Sequence, residues 1–329
     1  MENKLETIVT NTLSIEKVNI KKDKIKNIID KFYISIINNK EYFIKLNNID
    51  IKNNNGFKLD FNVINKIFKN FENDLNNYND TIFSYKNNDY VYGKYLSPRG
   101  TVLLITEGNT YILIELILKN LLANNTLIIN TNGYMYSVNN LLIEILSTIL
   151  KNISYSENQI QLYVSESSKE VLNHFTSIDL VICIGNHNLQ MFVQNNCKNE
   201  LIISGYNNFD IYLDTNKYMD LVNNIINQNV NINFYVNKDL NIDIENSIIV
   251  NDIEEAIAQI NFNGSKYSST IFTENMDSAK YFIKNVKSKI QTINISPTVE
   301  RSCDIKDLMI EKTIIFPIKN NVKFDINDI

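Results

Sequence analysis

The feature that most constrains the fold is an alternation of short apolar segments with segments of helical periodicity between residues 101 and 195. The apolar segments predict buried strands, and the segments between them predict helices. Strands that alternate with helices in this way form βαβ units, whose crossovers place the strands parallel in one sheet. The predicted strands are 101–106, 126–129, 161–164 and 180–184, and the predicted helices are 109–122, 137–150, 168–175 and 189–195. The middle of the chain is therefore predicted to be a doubly wound α/β domain with a parallel sheet.

The segments on either side extend this organisation. Residues 15–45 and 60–78 carry apolar residues at helical spacing, and residues 90–95 suggest a strand. Beyond residue 213 a looser alternation predicts a second, smaller α/β unit, with Asp252 as the N-cap of one helix. Its predicted strands are 233–236, 248–250, 269–273 and 290–295, and its predicted helices are 218–226, 252–260 and 277–286. We therefore predict one domain over residues 1–214, a second over 215–300 and a short tail over 301–329.

Composition limits the partners that this chain is expected to have. The 329 residues carry a net charge of −5, which disfavours nucleic acid and anionic membranes because both select basic faces. No apolar run reaches the roughly 18–20 residues of a spanning helix, and the N-terminus lacks the apolar core of a secretory signal. Three scattered cysteines match neither a disulfide framework nor a zinc site. We expect a cytoplasmic, soluble protein that binds no nucleic acid, no membrane and no metal.

Asparagine is unusually common, at about one residue in six, whereas glycine numbers only 8. Such a bias is typical of an A/T-rich coding sequence. Asparagine tolerates the left-handed backbone better than most residues other than glycine. We therefore expect asparagine at turns where a related protein would carry glycine.

Local motifs alone do not identify a reaction. The sequence has no P-loop, no GxGxxG, no HExxH, no CxxC and no GxSxG. Cys183 lies within an apolar predicted strand, and Cys197 lies at a helix end. Cys303 lies in a polar stretch, which is the only neighbourhood of the three that would permit an exposed thiolate. The two histidines, His174 and His187, lie in no recognisable catalytic arrangement.

The predicted parallel sheet nevertheless indicates where a ligand would bind. In open α/β sheets, ligands bind beyond the carboxyl ends of the strands. Three predicted strands lead into turns at residues 107–110, 130–133 and 185–187. We expect these turns to face a common crevice that accepts a small-molecule metabolite.

Several segments resemble one protein family, in the same order along the chain. Residues 263–274, NGSKYSSTIFTE, resemble the family segment YGSGHS(D/E)AIVTE, and residues 178–186 resemble IDLVIPRGG. Residues 98–107 and 123–133 resemble two further family segments. An upstream helix pattern is similar at Asn47, Asp50, Gly56 and Leu59. Over about residues 45–300, the chain thereby resembles the gamma-glutamyl phosphate reductases (glutamate-5-semialdehyde dehydrogenases), a branch of the aldehyde dehydrogenase superfamily.

The resemblance implies an aldehyde-dehydrogenase-like fold, with a doubly wound cofactor domain and a smaller α/β catalytic-type domain. It implies an NADPH-dependent oxidoreductase of proline biosynthesis that reduces gamma-glutamyl phosphate to glutamate-5-semialdehyde through a cysteine thioester. Asn109 matches the asparagine that would hold the oxyanion, and Asn130, Gly133, Gly185 and Asn186 fall at NADP(H)-binding positions. From its place before a predicted helix, Asn109 is equally well interpreted as an N-cap.

Departures from the family pattern bear directly on the chemistry. The segment that carries the family's nucleophilic cysteine is shorter here by about four residues, and residues 214–237 contain no cysteine. Asn130 stands where the family has a basic residue, and Asn124 and Asn186 stand where it has glycine. The family's C-terminal segment is also reduced. Cys303 is then the remaining candidate nucleophile, although it comes from a different segment.

Three hypotheses follow from these departures. In the first, the chain is a degenerate homologue, a pseudoenzyme that keeps the fold and has lost the reductase step. In the second, it is an active NADPH-dependent reductase with Cys303 as a displaced nucleophile. In the third, it is a non-catalytic subunit that assembles with an intact relative as a hetero-oligomer, or with itself as a homo-oligomer. The first is favoured because a misplacement of about 1 Å costs such chemistry about 100-fold.

Overall fold

The computed structural model describes residues 7–8, 10–12, 15, 21–79, 81–86, 90–153, 155–165, 172, 178–185, 187–204, 209–226, 232–264, 268–288, 290–296 and 303–317. The helices are α1 Lys22–Asn38, α2 Lys40–Lys52, α3 Phe61–Asn77, α4 Thr110–Leu122, α5 Tyr136–Asn152, α6 His187–Asn196, α7 Met219–Ile226, α8 Ile253–Asn263 and α9 Met276–Asn285. The strands are β1 Thr81–Lys86, β2 Tyr90–Pro98, β3 Thr101–Thr106, β4 Thr126–Thr131, β5 Ile160–Val164, β6 Leu180–Ile184, β7 Leu201–Ser204, β8 Phe209–Leu213, β9 Ile232–Asn237, β10 Ile248–Val250, β11 Ser268–Phe272, β12 Ile290–Ile293 and β13 Met309–Pro317.

The predicted alternation of strands and helices is confirmed over the described residues. The strands predicted at 180–184 and 248–250 are observed as β6 and β10 with the same bounds. Asp252 caps α8 as predicted, because its side chain accepts the backbone amide of Glu255 at 2.9 Å. Of the predicted helix 168–175 the structure describes residue 172 alone, so His174 lies outside the described residues.

The chain divides into two compact units. The first comprises Met1–Cys183, Met191–Ile203 and Ser302–Ile329, and the second comprises Ile184–Gln190 and Ser204–Arg301. The division falls before β8 rather than at residue 214, because β8 hydrogen-bonds to β9 and β11 of the second unit's sheet. Residues beyond 302 return to the first unit, where β13 pairs with β2, instead of forming a separate tail.

The first unit is built around a five-stranded sheet of order β5-β4-β3-β6-β7. β3, β4 and β5 are parallel, and the chain winds outward from β3 in both directions, which is the predicted doubly wound topology. Nearly every residue of β3, β4 and β6 is buried, which explains why these strands read as continuous apolar runs. Helix α4 is likewise buried along almost its whole length.

The second unit has its own parallel sheet, of order β10-β9-β8-β11-β12. Successive side chains of a strand point to opposite faces, so β8 contributes to two cores. Tyr212 packs on one face with Ile257 of α8 and Phe282 of α9. Ile211 packs on the other face with Val222 of α7. This unit is therefore also doubly wound.

A third, antiparallel sheet has the order β1-β2-β13. β13 pairs with β2 from Met309 opposite Pro98 to Pro317 opposite Tyr90. Most described side chains of β13 are exposed, including the apolar Ile310. The strand was not predicted, because its apolar residues follow no clean alternation and its partner is more than two hundred positions away.

Asparagine takes the left-handed backbone at several turns, as expected from its abundance. Asn124, which stands at a family glycine position, has a φ of 56°. The others with positive φ are Asn54, Asn241, Asn246 and Asn294. Over the part of the chain that the structure describes, no helix combines the length and the apolarity needed to cross a membrane.

Candidate functional site

Two turns lie side by side at the carboxyl edge of the first sheet. β3 leads through residues 107–109 into α4, and β4 leads through residues 132–135 into α5. Gly108 has a φ of +101°, and a Cβ atom on it would lie 2.4 Å from the carbonyl oxygen of Tyr134. Only glycine fits at this junction, because any side chain would overlap the neighbouring turn. Of the three turns predicted to face a common crevice, the structure places 107–110 and 130–133 side by side, and the third, 185–187, includes residue 186 outside the described residues.

Asn109 is the N-cap of α4. Its Oδ1 accepts the backbone amide of Tyr111 at 3.0 Å, which confirms the N-cap interpretation. Since Oδ1 must face this donor, the orientation of the side-chain amide is determined. Among the described residues, Nδ2 has no hydrogen-bond partner, and the side chain is only half-buried. Capping the helix and donating to an external carbonyl oxygen are therefore compatible roles for one side chain.

The buried side chain of Asn139 in α5 hydrogen-bonds to both the β3–α4 turn and the β4–α5 turn. Its Nδ2 donates to the carbonyl oxygen of Gly108 at 2.7 Å and to that of Tyr134 at 3.1 Å. Its Oδ1 accepts the hydroxyl of Thr110 at 2.8 Å. The sequence offered no signal for this residue, because two of its three partners, Gly108 and Thr110, lie about thirty positions earlier in the chain.

The segment after α2 packs onto the β4–α5 turn. Asn55 donates from Nδ2 to the carbonyl oxygen of Gly133 at 2.7 Å, and its own carbonyl accepts the amide of Met135 at 2.9 Å. The buried carboxylate of Asp50 accepts two backbone amides from the first turn of α5, each at 3.2 Å. A helix N-terminus is a preferred place for an anion. This carboxylate therefore occupies the position at which α5 would otherwise attract an external phosphate.

Three half-buried aromatic rings lie near the same turns. The ring centre of Phe57 is 5.2 Å from that of Tyr111 and 6.2 Å from that of Tyr134. The hydroxyl of Tyr111 accepts the backbone amide of Asp60 at 2.7 Å, and burial raises the pKa of this phenol. The edge thus combines a single amide donor with apolar ring surface, and sequence reasoning missed all three rings.

The predicted cofactor positions have varied surroundings. Asn130 is buried, and its Nδ2 donates to the hydroxyl of Ser165 at 2.9 Å, so this side chain is directed into the interior. Gly133 lies in the turn with a φ of +91°. Gly185 is buried, and its carbonyl accepts Nε2 of Gln190 at 2.8 Å within the second unit. Asn186 lies outside the described residues.

Two of the three cysteines are poorly placed for nucleophilic chemistry. Burial, and then the nearby carboxylate of Glu107, raise the pKa of the Cys183 thiol to about 12. Cys303 is only 1% exposed, so the exposed thiolate that its polar neighbours would permit is not observed. It is covered because α4 holds its segment: the ammonium of Lys119 donates to the carbonyl oxygen of Cys303. Cys197 is half-buried at the end of α6.

The second unit has a polar network at the carboxyl edge of its own sheet. Asp214, just after β8, accepts the hydroxyl of Tyr212 at 3.2 Å and that of Thr273 at 2.6 Å. Burial, followed by the charge of Asp214, raises the pKa of Tyr212. Asn294 holds Thr273 through two hydrogen bonds of 2.9 Å. These side chains satisfy one another, and no group of three or more His, Cys, Asp or Glu side chains among the described residues is placed to hold a metal.

No protein-family model matches the chain, and no curated protein matches it in sequence. The chain is similar in structure to the gamma-glutamyl phosphate reductase of Thermotoga maritima, with a TM-score of 0.74 and 15% identity over 95% of this chain and 97% of that one. The NADP-bound glyceraldehyde-3-phosphate dehydrogenase of Methanocaldococcus jannaschii gives a TM-score of 0.72 and 15% identity over 96% and 93%. The gamma-glutamyl phosphate reductase of Saccharomyces cerevisiae gives a TM-score of 0.52 and 17% identity over 98% and 99%. The chain therefore has the aldehyde-dehydrogenase-like fold that the sequence resemblance implied.

Proposed function

We propose that this chain is a non-redox member of the aldehyde-dehydrogenase fold that binds a small carbonyl-bearing metabolite without reducing it. The observation that carries the proposal is the state of its cysteines. Acyl transfer to sulfur needs an accessible thiolate, because the thiolate and not the thiol is the nucleophile. Burial raises the pKa of the Cys183 thiol to about 12, and Cys303 is buried within the segment that Lys119 of α4 anchors.

What the first unit retains is a means of holding a carbonyl oxygen. The Nδ2 of Asn109 is available as a donor because Oδ1 is committed to the cap of α4. Its turn is tied down by Asn139, and the rings of Phe57, Tyr111 and Tyr134 supply apolar surface nearby. A donor held in this way by rigid turns favours binding of a carbonyl group.

Two features of the same edge oppose a phosphate-bearing cofactor. Asn130 is neutral, and its amide is used internally on Ser165. Asp50 places a carboxylate on the first amides of α5, so a phosphate arriving there would meet a negative charge. We therefore propose that NADPH, which the family resemblance implies, is bound weakly or not at all.

Titration of NADPH, followed by the fluorescence of its nicotinamide, tests the cofactor part of this proposal. The chain has no tryptophan, so the background emission is low. We expect no saturable binding at micromolar concentrations and no oxidation of glutamate-5-semialdehyde. Turnover that disappears in Cys303→Ala would instead establish the active reductase with a displaced nucleophile.

Iodoacetamide labelling at pH 8, with mass spectrometry of the peptides, tests the state of the cysteines directly. Cys197 is expected to react first, with Cys183 and Cys303 protected until the chain unfolds. Faster labelling of Cys303 than of free cysteine would overturn the proposal.

The ligand part is tested with L-glutamine, which presents its side-chain carbonyl as a carboxamide and carries no phosphate leaving group. We expect calorimetry to detect binding by the intact chain and at least a ten-fold weaker affinity for Asn109→Ala. Asn140→Ala, at a half-buried position of α5 whose side chain bonds to Glu144 one turn along the helix, serves as the control. Equal affinity of all three proteins for glutamine, or no binding by any of them, would refute this part.

A second candidate function is that of a non-catalytic subunit, and the antiparallel sheet favours it. β13 pairs with β2 alone among the described strands, so over the described residues its other side is an open sheet edge. Ile315 of this strand is 61% exposed. Edge strands of this kind template pairing with another chain. Co-expression with an intact gamma-glutamyl phosphate reductase should then yield a complex that Ile315→Lys weakens, whereas a monomer that stays separate would exclude this role.

A further inference from the structure

We infer that Asn139 is a positioning residue that aims the Asn109 amide. The inference rests on the proposed function in one respect, because the Asn109 amide is taken as the group that meets the ligand. It adds a residue from a different element, α5, to a site otherwise formed by the β3–α4 turn.

The geometry places one buried side chain on both neighbours of Asn109. Asn139 is 1% exposed, and its Nδ2 donates to the carbonyl oxygen of Gly108 while its Oδ1 accepts the hydroxyl of Thr110. The second hydrogen of Nδ2 goes to the carbonyl oxygen of Tyr134. A single amide group thus holds the backbone of Gly108 before Asn109, the side chain of Thr110 after it, and the backbone of Tyr134 in the adjacent turn.

An asparagine is the residue that this position requires. Two carbonyl oxygens need a group that donates twice, and the Thr110 hydroxyl needs an acceptor, which only a carboxamide supplies together. Aspartate has the same shape but would place oxygen atoms against the carbonyl oxygens of Gly108 and Tyr134. An aliphatic side chain would leave three buried polar groups without partners.

The turn needs this support because of its glycine. Gly108 adopts a φ of +101°, and it has no side chain that could pack and restrain the turn. Without Asn139, the turn would sample other conformations, and the ligand would have to order the Asn109 amide on binding. That ordering lowers affinity even though no contact with the ligand has been removed.

Hydrogen–deuterium exchange of the intact chain tests the inference without any ligand. In Asn139→Ala, the peptide covering residues 104–112 is expected to exchange about 10-fold faster or more, with α7 to α9 unchanged. Asn140→Ala, the same substitution one position along α5, is the matched control. Unchanged exchange of 104–112 in Asn139→Ala would overturn the inference. Should Asn139→Ala fail to fold, Thr110→Val removes the hydrogen bond between the Thr110 hydroxyl and Asn139 instead. Faster exchange of peptide 104–112 in that variant is then expected, and unchanged exchange would overturn the inference.

Glutamine affinity supplies the readout that a merely structural role would not move. If Asn139 acts through Asn109, then Asn139→Ala weakens binding in the natural chain and has no further effect in Asn109→Ala. Equal weakening in both backgrounds would overturn the positioning role. Absence of glutamine binding by the natural chain would defeat the proposed function, and the exchange experiment would still decide whether Asn139 holds the turn.

Discussion

The Oδ2 atom of Asp50 accepts the backbone amide of Val138 at 3.2 Å, although the two residues lie 88 positions apart. Helix α5 has no cap of its own, because its N-cap residue, Met135, has a left-handed backbone and makes no side-chain cap. Asp50 therefore supplies from α2 the negative charge that favours a helix N-terminus.

Replacement of Asp50 should destabilise the first unit. Asp50→Ala removes both hydrogen bonds to α5, and we expect the free energy of unfolding to fall by about 1–2 kcal/mol. Asp50→Asn retains one acceptor and should cost less. Urea unfolding measures both, with Asp30→Ala on the exposed face of α1 as the control. Equal stability of Asp50→Ala and Asp30→Ala would contradict the capping role.

The two turn glycines should differ in their tolerance of a side chain. Gly108→Ala combines a positive φ with an overlap on the carbonyl oxygen of Tyr134, so we expect a loss of about 2–4 kcal/mol. A Cβ atom on Gly133 would lie 3.3 Å from the side chain of Val164, so Gly133→Ala should cost only the backbone term of about 1–2 kcal/mol. Thermal unfolding of both variants measures the difference. A larger loss of stability in Gly133→Ala than in Gly108→Ala would contradict the close contact of Gly108 with Tyr134.

Alkaline pH should destabilise the chain through Cys183. Its pKa is raised to about 12 in the folded state, whereas an unfolded thiol titrates near about 8.5. Between these values the native state keeps a proton that the unfolded state releases, so stability falls by up to about 1.4 kcal/mol per pH unit as pH rises. The contribution is fully present below about pH 8.5.

Cys183→Ala isolates this thiol. The variant is expected to be less stable than the natural chain at pH 7, because a buried side chain has been shortened. The difference in free energy of unfolding between the natural chain and Cys183→Ala should decrease between pH 9 and pH 11 in urea-unfolding measurements. A gap that stays constant over this range would show that Cys183 does not titrate on unfolding.

Asn294 should matter through its side chain as well as its backbone. It adopts a φ of 54° and bonds twice to Thr273, extending the β11–β12 pairing by one residue. Asn294→Gly keeps the backbone but loses both bonds, and we expect a cost of about 1–2 kcal/mol. Asn294→Ala should cost about 1 kcal/mol more, because alanine resists the left-handed conformation. Asn246→Gly, at another left-handed position, is the control and should leave the unfolding midpoint nearly unchanged.

Local patterns predicted local structure well. The bounds of β6 and β10, the Asp252 cap and the left-handed Asn124 all follow from residues within a few positions of one another. The N-cap role of Asn109 was also visible in the sequence, as one of two interpretations. Asn139 was not, because nothing near it in the chain indicates a hydrogen bond to Gly108.

The burial of Cys303, which bears on whether it can act as a nucleophile, was also not predictable from its sequence neighbours. Its sequence neighbours are polar, which suggested exposure, yet α4 covers it because Lys119 and the returning β13 hold its segment against the first unit. Burial is a property of the packed chain and not of the flanking residues.

The sequence by itself determined the alternating strands and helices and the lack of a cysteine between β8 and β9. Periodicity and residue identity are properties of residues that are close together in the chain. Only the tertiary structure decided that β8 belongs to the second sheet, that β13 pairs with β2, and that Asn139 and Asp50 support turns in other elements. Those contacts join residues far apart in the chain. Their partners are selected by the packing of whole elements, which leaves no periodic trace in either segment.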